Sequence, residues 1–246
     1  MDIYNRFANI YDELMIDFNY EDWFNYIEKI FKKYNREPKK ILEMACGTGN
    51  LSYYLAKRGY RLTCFDLSSD MLSRAYDKLR KFKNVRLMNQ NMINFNLNES
   101  FDSIISICDS INYITEKEDL LKVFRNVWNH LEDNGIFIFD INSHYKLKHI
   151  IGNNTFIEDR EDVFYSWQNY YDDSEEICEF YLTFFCSNDG ECFERFDEEH
   201  KEKAYKEDEI IELLKEAGFK TIDSFEAFGF EKIRKETERI NFIAIK

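Results

Sequence analysis

An acid, two glycines, a second acid and an amide follow one another along the first third of the chain. They are Glu43, Gly47 and Gly49 in ILEMACGTGNLSYYLA, Asp66 in RLTCFDL, and Asn91 in VRLMNQN. Glycines between a strand and a helix let a nucleotide approach the backbone closely. A dinucleotide turn carries a third glycine, where this chain has Ser52. Glu43, at the end of an apolar run, would repel a pyrophosphate but suits an ammonium group. Asp66 can accept hydrogen bonds from the ribose of any adenosine, and an amide at Asn91 can pair with an adenine amino group. An amine, a ribose and an adenine without phosphate together describe S-adenosylmethionine.

These residues need elements to position them. YNRFANIYDELM and YEDWFNYIEKIFKK read as two amphipathic helices, with Tyr4, Phe7, Tyr11 and Leu14 on one face and Trp23, Ile27, Ile30 and Phe31 on the other. Pro38, the only proline, breaks the chain before the first strand. Strands and helices then alternate. Ile41–Ala45 is a strand, Asn50–Arg58 a helix stopped by Gly59, and RLTCFDL a strand followed by a helix capped by Ser68 and Ser69. VRLMNQN, FDSIISICDS and GIFIFDIN supply three more strands, and Thr115 with Glu118 predicts a capping box for the helix that ends near Leu131. Apolar strands separated by helices indicate a parallel sheet covered on both faces. Residues 155–205 change character: aromatic-rich segments joined by DDSE and SNDG read as antiparallel strands with tight turns. EDEIIELLKEAG restores the helical period, and KTIDSFEAF and INFIAI end the chain as strands.

With 44% hydrophobic and 17% aromatic residues, 246 residues can bury a substantial core. No apolar run approaches the roughly 18 residues of a membrane span, and the polar start is no signal peptide, so a cytoplasmic protein is expected. The six cysteines show neither CxxC pairs nor metal-ligand spacing, and no metal is expected. Of the net charge of −14, residues 157–202 carry 16 acids against Arg160, Arg195 and Lys201. Either this is a solvated acidic face, or it draws a cationic or amine substrate.

LEMACGTG, CFDLSSDML, NQNM and SICDSINYI resemble, in order and spacing, the successive motifs of class I S-adenosylmethionine-dependent methyltransferases. YNRFANIYDELM and EEHKEKAYKEDEIIELLKEAGF are similar to segments of the small-molecule branch that methylates glycine and aminosugars. Asn91, where the family often has Asp, and Met44-Ala45-Cys46, in place of Leu-Gly-Cys, are mild departures. The resemblance implies an α/β fold: a doubly wound, mostly parallel, Rossmann-like seven-stranded sheet with an N-terminal helical cap and an antiparallel β-lid insertion. The cofactor-binding domain would comprise residues 1–144, with the cap at 1–37, plus 206–246; the lid would comprise 145–205.

Carried over by position, Ala45, Cys46, Gly47 and Gly49 would form the turn at the methionine end of the cofactor, and Glu43 would orient its amino group through water. Asp66 would take the ribose, Leu67 and Met71 the adenine or ribose faces, and Asn91 and Met92 the adenine edge. Cys108 and Asp109 would line the floor, and Tyr4 and Tyr11 would close over the sulfonium. Met71 could equally be core, Tyr4 and Tyr11 could merely pack their helix, and Asp109 could cap the next turn.

Transfer of an activated methyl is an in-line displacement governed by alignment. A hydroxyl acceptor gains from a base, for which Asp109, Tyr113 and His200 are the candidates. Nucleic acid is disfavoured as acceptor because Asp109-Ser110-Ile111 stands where amino-methylating enzymes carry Pro-Pro-aromatic, and because the lid is acidic. The expectation is therefore methyl transfer to an N or O nucleophile of a small molecule by a monomer or homodimer with no membrane partner. A cofactor sensor without turnover and a protein-directed methyltransferase remain as alternatives.

Overall fold

The computed structural model describes residues 3–160, 162–187 and 192–246, with side chains from residue 7 onward, residue 9 excepted. In chain order the elements are α1 (Ile3–Leu14), α2 (Tyr20–Lys33), β1 (Lys40–Met44), α3 (Asn50–Arg58), β2 (Arg61–Asp66), α4 (Ser69–Leu79), β3 (Val85–Asn89), β4 (Phe101–Ser106), α5 (Lys117–His130) and β5 (Leu131–Asn142). β6 (Thr155–Asp159), β7 (Val163–Asp172), β8 (Ile177–Ser187) and β9 (Phe193–Lys203) follow, then α6 (Glu207–Ala217), β10 (Thr221–Glu226) and β11 (Arg239–Ile245). A 3-10 turn spans Ser110–Tyr113 and a π turn spans Lys146–Ile151.

β1 to β5 pair in parallel, and β11 and β10 complete a seven-stranded sheet of order β10-β11-β5-β4-β1-β2-β3 by antiparallel pairing. This is the Rossmann-like methyltransferase arrangement. The strand order reverses between β1 and β4, and a ligand crevice opens beyond the carboxyl ends of strands at such a point. Each sheet face is sealed by an apolar layer. Phe124, Phe137, Phe139, Leu214 and Phe242 lie on one side; Trp23, Ile27, Ile30, Leu51 and Leu55 lie on the other.

β6 to β9 form a separate four-stranded antiparallel sheet in sequence order. The DDSE turn forms because Asp172 Oδ1 accepts from the backbone N–H groups of Ser174, at 2.8 Å, and Glu175, at 3.2 Å. Most of SNDG lies outside the described residues.

Local signals hold where no tertiary contact competes. Asn19 caps α2 by accepting from Glu21 N and Asp22 N, Ser68 caps α4 by accepting from Met71 N, and Gly59 and Gly218 end α3 and α6 in left-handed conformation. The expected capping box at α5 is not formed. Glu116 occupies its N-cap without a side-chain cap bond. The loop before it is held from elsewhere: Tyr205 Oη donates to the Ile114 carbonyl at 2.6 Å.

Candidate active site

The strand β1 ends in Met44, and the chain then turns sharply. Ala45, Gly47 and Gly49 all adopt positive φ, of 51°, 54° and 78°. A side chain at Gly47 would project into open space, whereas one at Gly49 would come within 2.9 Å of Leu79 Cδ1 on α4. Gly47 thus leaves room for a ligand in front of the backbone, and Gly49 lets α3 pack against α4. Asp66, at the end of β2, accepts from the N–H groups of Gly47 and Ser68, each at 2.8 Å. Burial raises its carboxyl above the ordinary range against these bonds.

Glu43 is buried at the end of β1, and Ser52 Oγ donates to its Oε2 at 2.5 Å. Cys64 Sγ lies 3.8 Å from the same oxygen. Burial pushes this carboxyl up to about 7, and the nearby Asp66 adds to the effect. Asn91 is fixed by its Oδ1, which accepts from Ile93 N at 2.8 Å. Leu67 is 68% exposed at the crevice mouth, Met71 is half-buried on α4, and Met92 packs on the core.

α1 is latched to the glycine turn. Asp12 accepts from Thr48 Oγ1 at 2.6 Å, Asn50 Nδ2 at 2.9 Å and Lys78 Nζ at 3.0 Å. Burial opposes ionisation of Asp12, but these donors hold its carboxyl below the ordinary range. The side chain of Tyr4 lies outside the described residues. Tyr11 hydrogen-bonds Tyr20, and burial holds the hydroxyls of both far up; Cys108 lies close to each.

Beyond β4 the backbone is left-handed at two successive residues, Cys108 at φ 60° and Asp109 at φ 54°. Non-glycine residues rarely adopt this conformation, and the surroundings must enforce it. Arg239, the first residue of β11, does so. Its Nη2 donates to Asp109 Oδ1 at 2.7 Å and to Asn142 Oδ1 at 3.2 Å, and its Nη1 donates to the wholly buried Asp140. Asp140 Oδ2 in turn accepts from Asp109 N at 3.1 Å. Burial lifts Asp140 to about 6 against the pull of Arg239. Asp109, considered above as a base, is thus ion-paired in a structural knot. Arg239 went unnoticed in the sequence; the signal there is a lone cation opening the apolar strand RINFIAI.

Tyr113 follows this loop. It is 46% exposed, yet desolvation holds its hydroxyl far above the usual range, the combination expected of a cavity wall. His200 on β9 lies across from it, with ring centroids 5.9 Å apart, and Phe7 of α1 lies 5.7 Å from His200. Burial lowers the His200 pKa, so the imidazole rests neutral. The acidic charge of the lid turns away from this space. Asp172, Asp197 and Glu199 are exposed, and only Glu198 and Glu202 of β9 face inward. Among the described residues no His, Cys, Asp or Glu cluster could hold a metal ion, and no helix is long and apolar enough to cross a membrane.

Residues 41–135, from β1 to the middle of β5, match the family described as "Methyltransferase domain". A solved S-adenosylmethionine-dependent methyltransferase from Clostridium acetobutylicum ATCC 824 is 42% identical, each chain covering 99% of the other, with a TM-score of 0.90. The chain named "Putative methyltransferase YqeM" from Bacillus subtilis (strain 168) is 34% identical over 99% of this chain and 97% of its own. The sugar N-methyltransferase KedS8 from Streptoalloteichus sp ATCC 53650 shares the fold at 16% identity, covering 95% of this chain and 90% of its own, with a TM-score of 0.77.

Proposed function

The chain belongs to the S-adenosylmethionine-dependent methyltransferases, and on that premise we propose that its acceptor is a small molecule presenting a nitrogen or oxygen nucleophile in the crevice between α1, β9 and the carboxyl ends of β1 and β4. One observation carries this reading. Phe7 of α1 meets both His200 and Phe184 of the lid, at 5.7 and 5.8 Å, so α1 and the lid close over the crevice at this point, which favours a small acceptor over a polymer. That a fold relative such as KedS8 is a sugar N-methyltransferase agrees with this.

The residues present fit the cofactor. Open space before Gly47 suits a ligand against the backbone, and the Asp66 carboxylate has lone pairs left for ribose hydroxyls. With Oδ1 of Asn91 engaged by Ile93, its Nδ2 is the group for an adenine ring nitrogen. Glu43 lies beneath the turn as the partner for an ammonium group. Leu67, Met71 and Met92 offer apolar faces, and Cys46 and Cys108 line the turn and floor. When bound, S-adenosylmethionine supplies an activated sulfonium methyl.

The chain's own part is alignment, desolvation and proton handling. Arg239 clamps Asp109 and so shapes the floor. Tyr11 and Phe7 exclude water from above. His200 Nε2, neutral and unpartnered among the described residues, is placed to take a proton from an arriving hydroxyl or ammonium; Tyr113 steers the nucleophile past it.

Calorimetry with S-adenosylmethionine tests the cofactor site. Asp66→Ala removes the ribose acceptor and should weaken binding at least about tenfold, ~1.4 kcal/mol. Labelled-methyl transfer against amines, sugars and small acids tests the acceptor. Tight cofactor binding with label incorporated only into added protein would overturn the small-molecule reading.

A further inference from the structure

The inner face of the lid sheet carries a band of polar groups that no other described residue satisfies. Cross-strand pairing sets Trp167 (β7), Leu182 (β8) and Glu198 (β9) in one row, and Asn169, Phe180 and His200 in the next. In these two rows Trp167 Nε1, both amide atoms of Asn169, Glu198 Oε1 and His200 Nε2 are buried, and none has a hydrogen-bond partner among the described residues. Asn169 is only 3% exposed and Glu198 only 8%. Burying such an atom unpaired is costly, so a sheet that served only as a cover would carry apolar residues here.

The flanking rows are mostly apolar, and the acid among them, Glu202, accepts from Asn142 Nδ2 at 2.9 Å. Toward one end, Phe184 and Phe196 pack with Ile10 and Phe7 of α1. Toward the other, Tyr171 and Cys178 pack with Leu147 and Ile151 of the π turn. The polar band lies between two apolar clusters, and its His200 edge meets Tyr113 at the crevice.

We propose that Trp167, Asn169 and Glu198 form a subsite for the non-reacting portion of the methyl acceptor, and that this portion bears hydroxyl or amide groups and no anionic one. The inference rests on the small-molecule reading above. The donor and acceptor types define the ligand: Trp167 Nε1 only donates, Asn169 does both, and a carboxyl at Glu198 accepts or, when protonated, donates. No Lys or Arg stands in either row, so an anionic group finds no partner. Burial raises the Glu198 pKa, so without a partner its carboxyl favours the neutral form, which donates as well as accepts.

The experiment uses the protein saturated with S-adenosylhomocysteine, with calorimetry reporting that it binds. Asn169→Leu and Glu198→Met replace unpaired polar groups by apolar ones of similar size. Both should melt about 2–4 °C higher than wild type, because an unpaired buried polar group is removed, while binding of S-adenosylhomocysteine stays within twofold. Millimolar myo-inositol, a neutral polyol, should raise the melting temperature of wild type more than glucuronate does, and this gain should vanish in both variants. If both variants melt below wild type, the residues are structural and the proposal is overturned. An inositol shift that is absent in wild type, or undiminished in the variants, overturns it as well. Failure of wild type to bind S-adenosylhomocysteine would instead remove the catalytic reading itself.

Discussion

Ser52 Oγ donates to Glu43 Oε2 across 2.5 Å, joining the first turn of α3 to the end of β1 beneath the glycine turn. The serine stands where a dinucleotide fold would have its third glycine. In this chain the position supplies a donor to a carboxyl that is 2% exposed and would otherwise be buried with little support.

That carboxyl, pushed by burial to about 7, lies above its unfolded value of about 4.3. A group raised in this way stabilises the fold fully below the unfolded pKa, and the contribution is lost as pH rises through about 7. Relative to Glu43→Gln, wild type should therefore lose on the order of 3 kcal/mol between pH 4.5 and 8, read from melting curves of the two proteins. Cofactor affinity should rise over pH 6–8 in wild type, as an ammonium partner favours the carboxylate, and should be flat in the variant.

His200 is held below the ordinary histidine range by burial. Its protonated form is the disfavoured one, so the acid limb of kcat/KM should fall below pH 6.5 rather than at it. His200→Gln should erase that limb and lower the rate by roughly 10²–10⁴-fold for a hydroxyl acceptor, with a smaller loss for an amine that arrives neutral. An unchanged limb in the variant would assign it to another group.

Arg239 neutralises Asp140, which is wholly buried, and Asp109. Arg239→Met should cost about 3–5 kcal/mol in urea unfolding, because it strands a buried carboxylate. The double variant with Asp140→Leu should recover most of that loss. If the single variant is as stable as wild type, the knot does not hold the floor.

Asp12 ties α1 to Thr48, Asn50 and Lys78, each bond contributing about 1 kcal/mol or less at a half-exposed site. Asp12→Ala should speed cofactor dissociation about 5- to 20-fold in stopped-flow measurements while leaving the melting temperature nearly unchanged. Raising the ionic strength should speed wild-type release, and should affect the variant less.

Much of the fold was legible because its signals are local. The apolar runs of β1, β4 and β5, the caps at Asn19 and Ser68 and the stops at Gly59 and Gly218 need only near neighbours to be read. The α5 capping box expected from Thr115 and Glu118 does not form; Glu116 takes the N-cap, and Tyr205, far along the chain, holds the preceding loop. At the site, Glu43, Gly47, Gly49 and Asp66 stood out as acids and glycines at strand ends. Arg239 did not, since its partners Asp109 and Asp140 lie about 130 and 99 residues away and only sheet pairing unites them. The count of acids in the lid was plain in the sequence, but strand alternation decides which face they occupy, and it turns most of them outward.

α1 touches both halves of the molecule. Asp12 grips the glycine turn, Phe7 rests on His200, and Arg160 at the end of β6 donates to the Glu13 carbonyl at 2.6 Å. One twelve-residue helix is thus held at one side by the glycine turn and at the other by the lid. The same helix therefore sets the distance between the glycine turn and the lid.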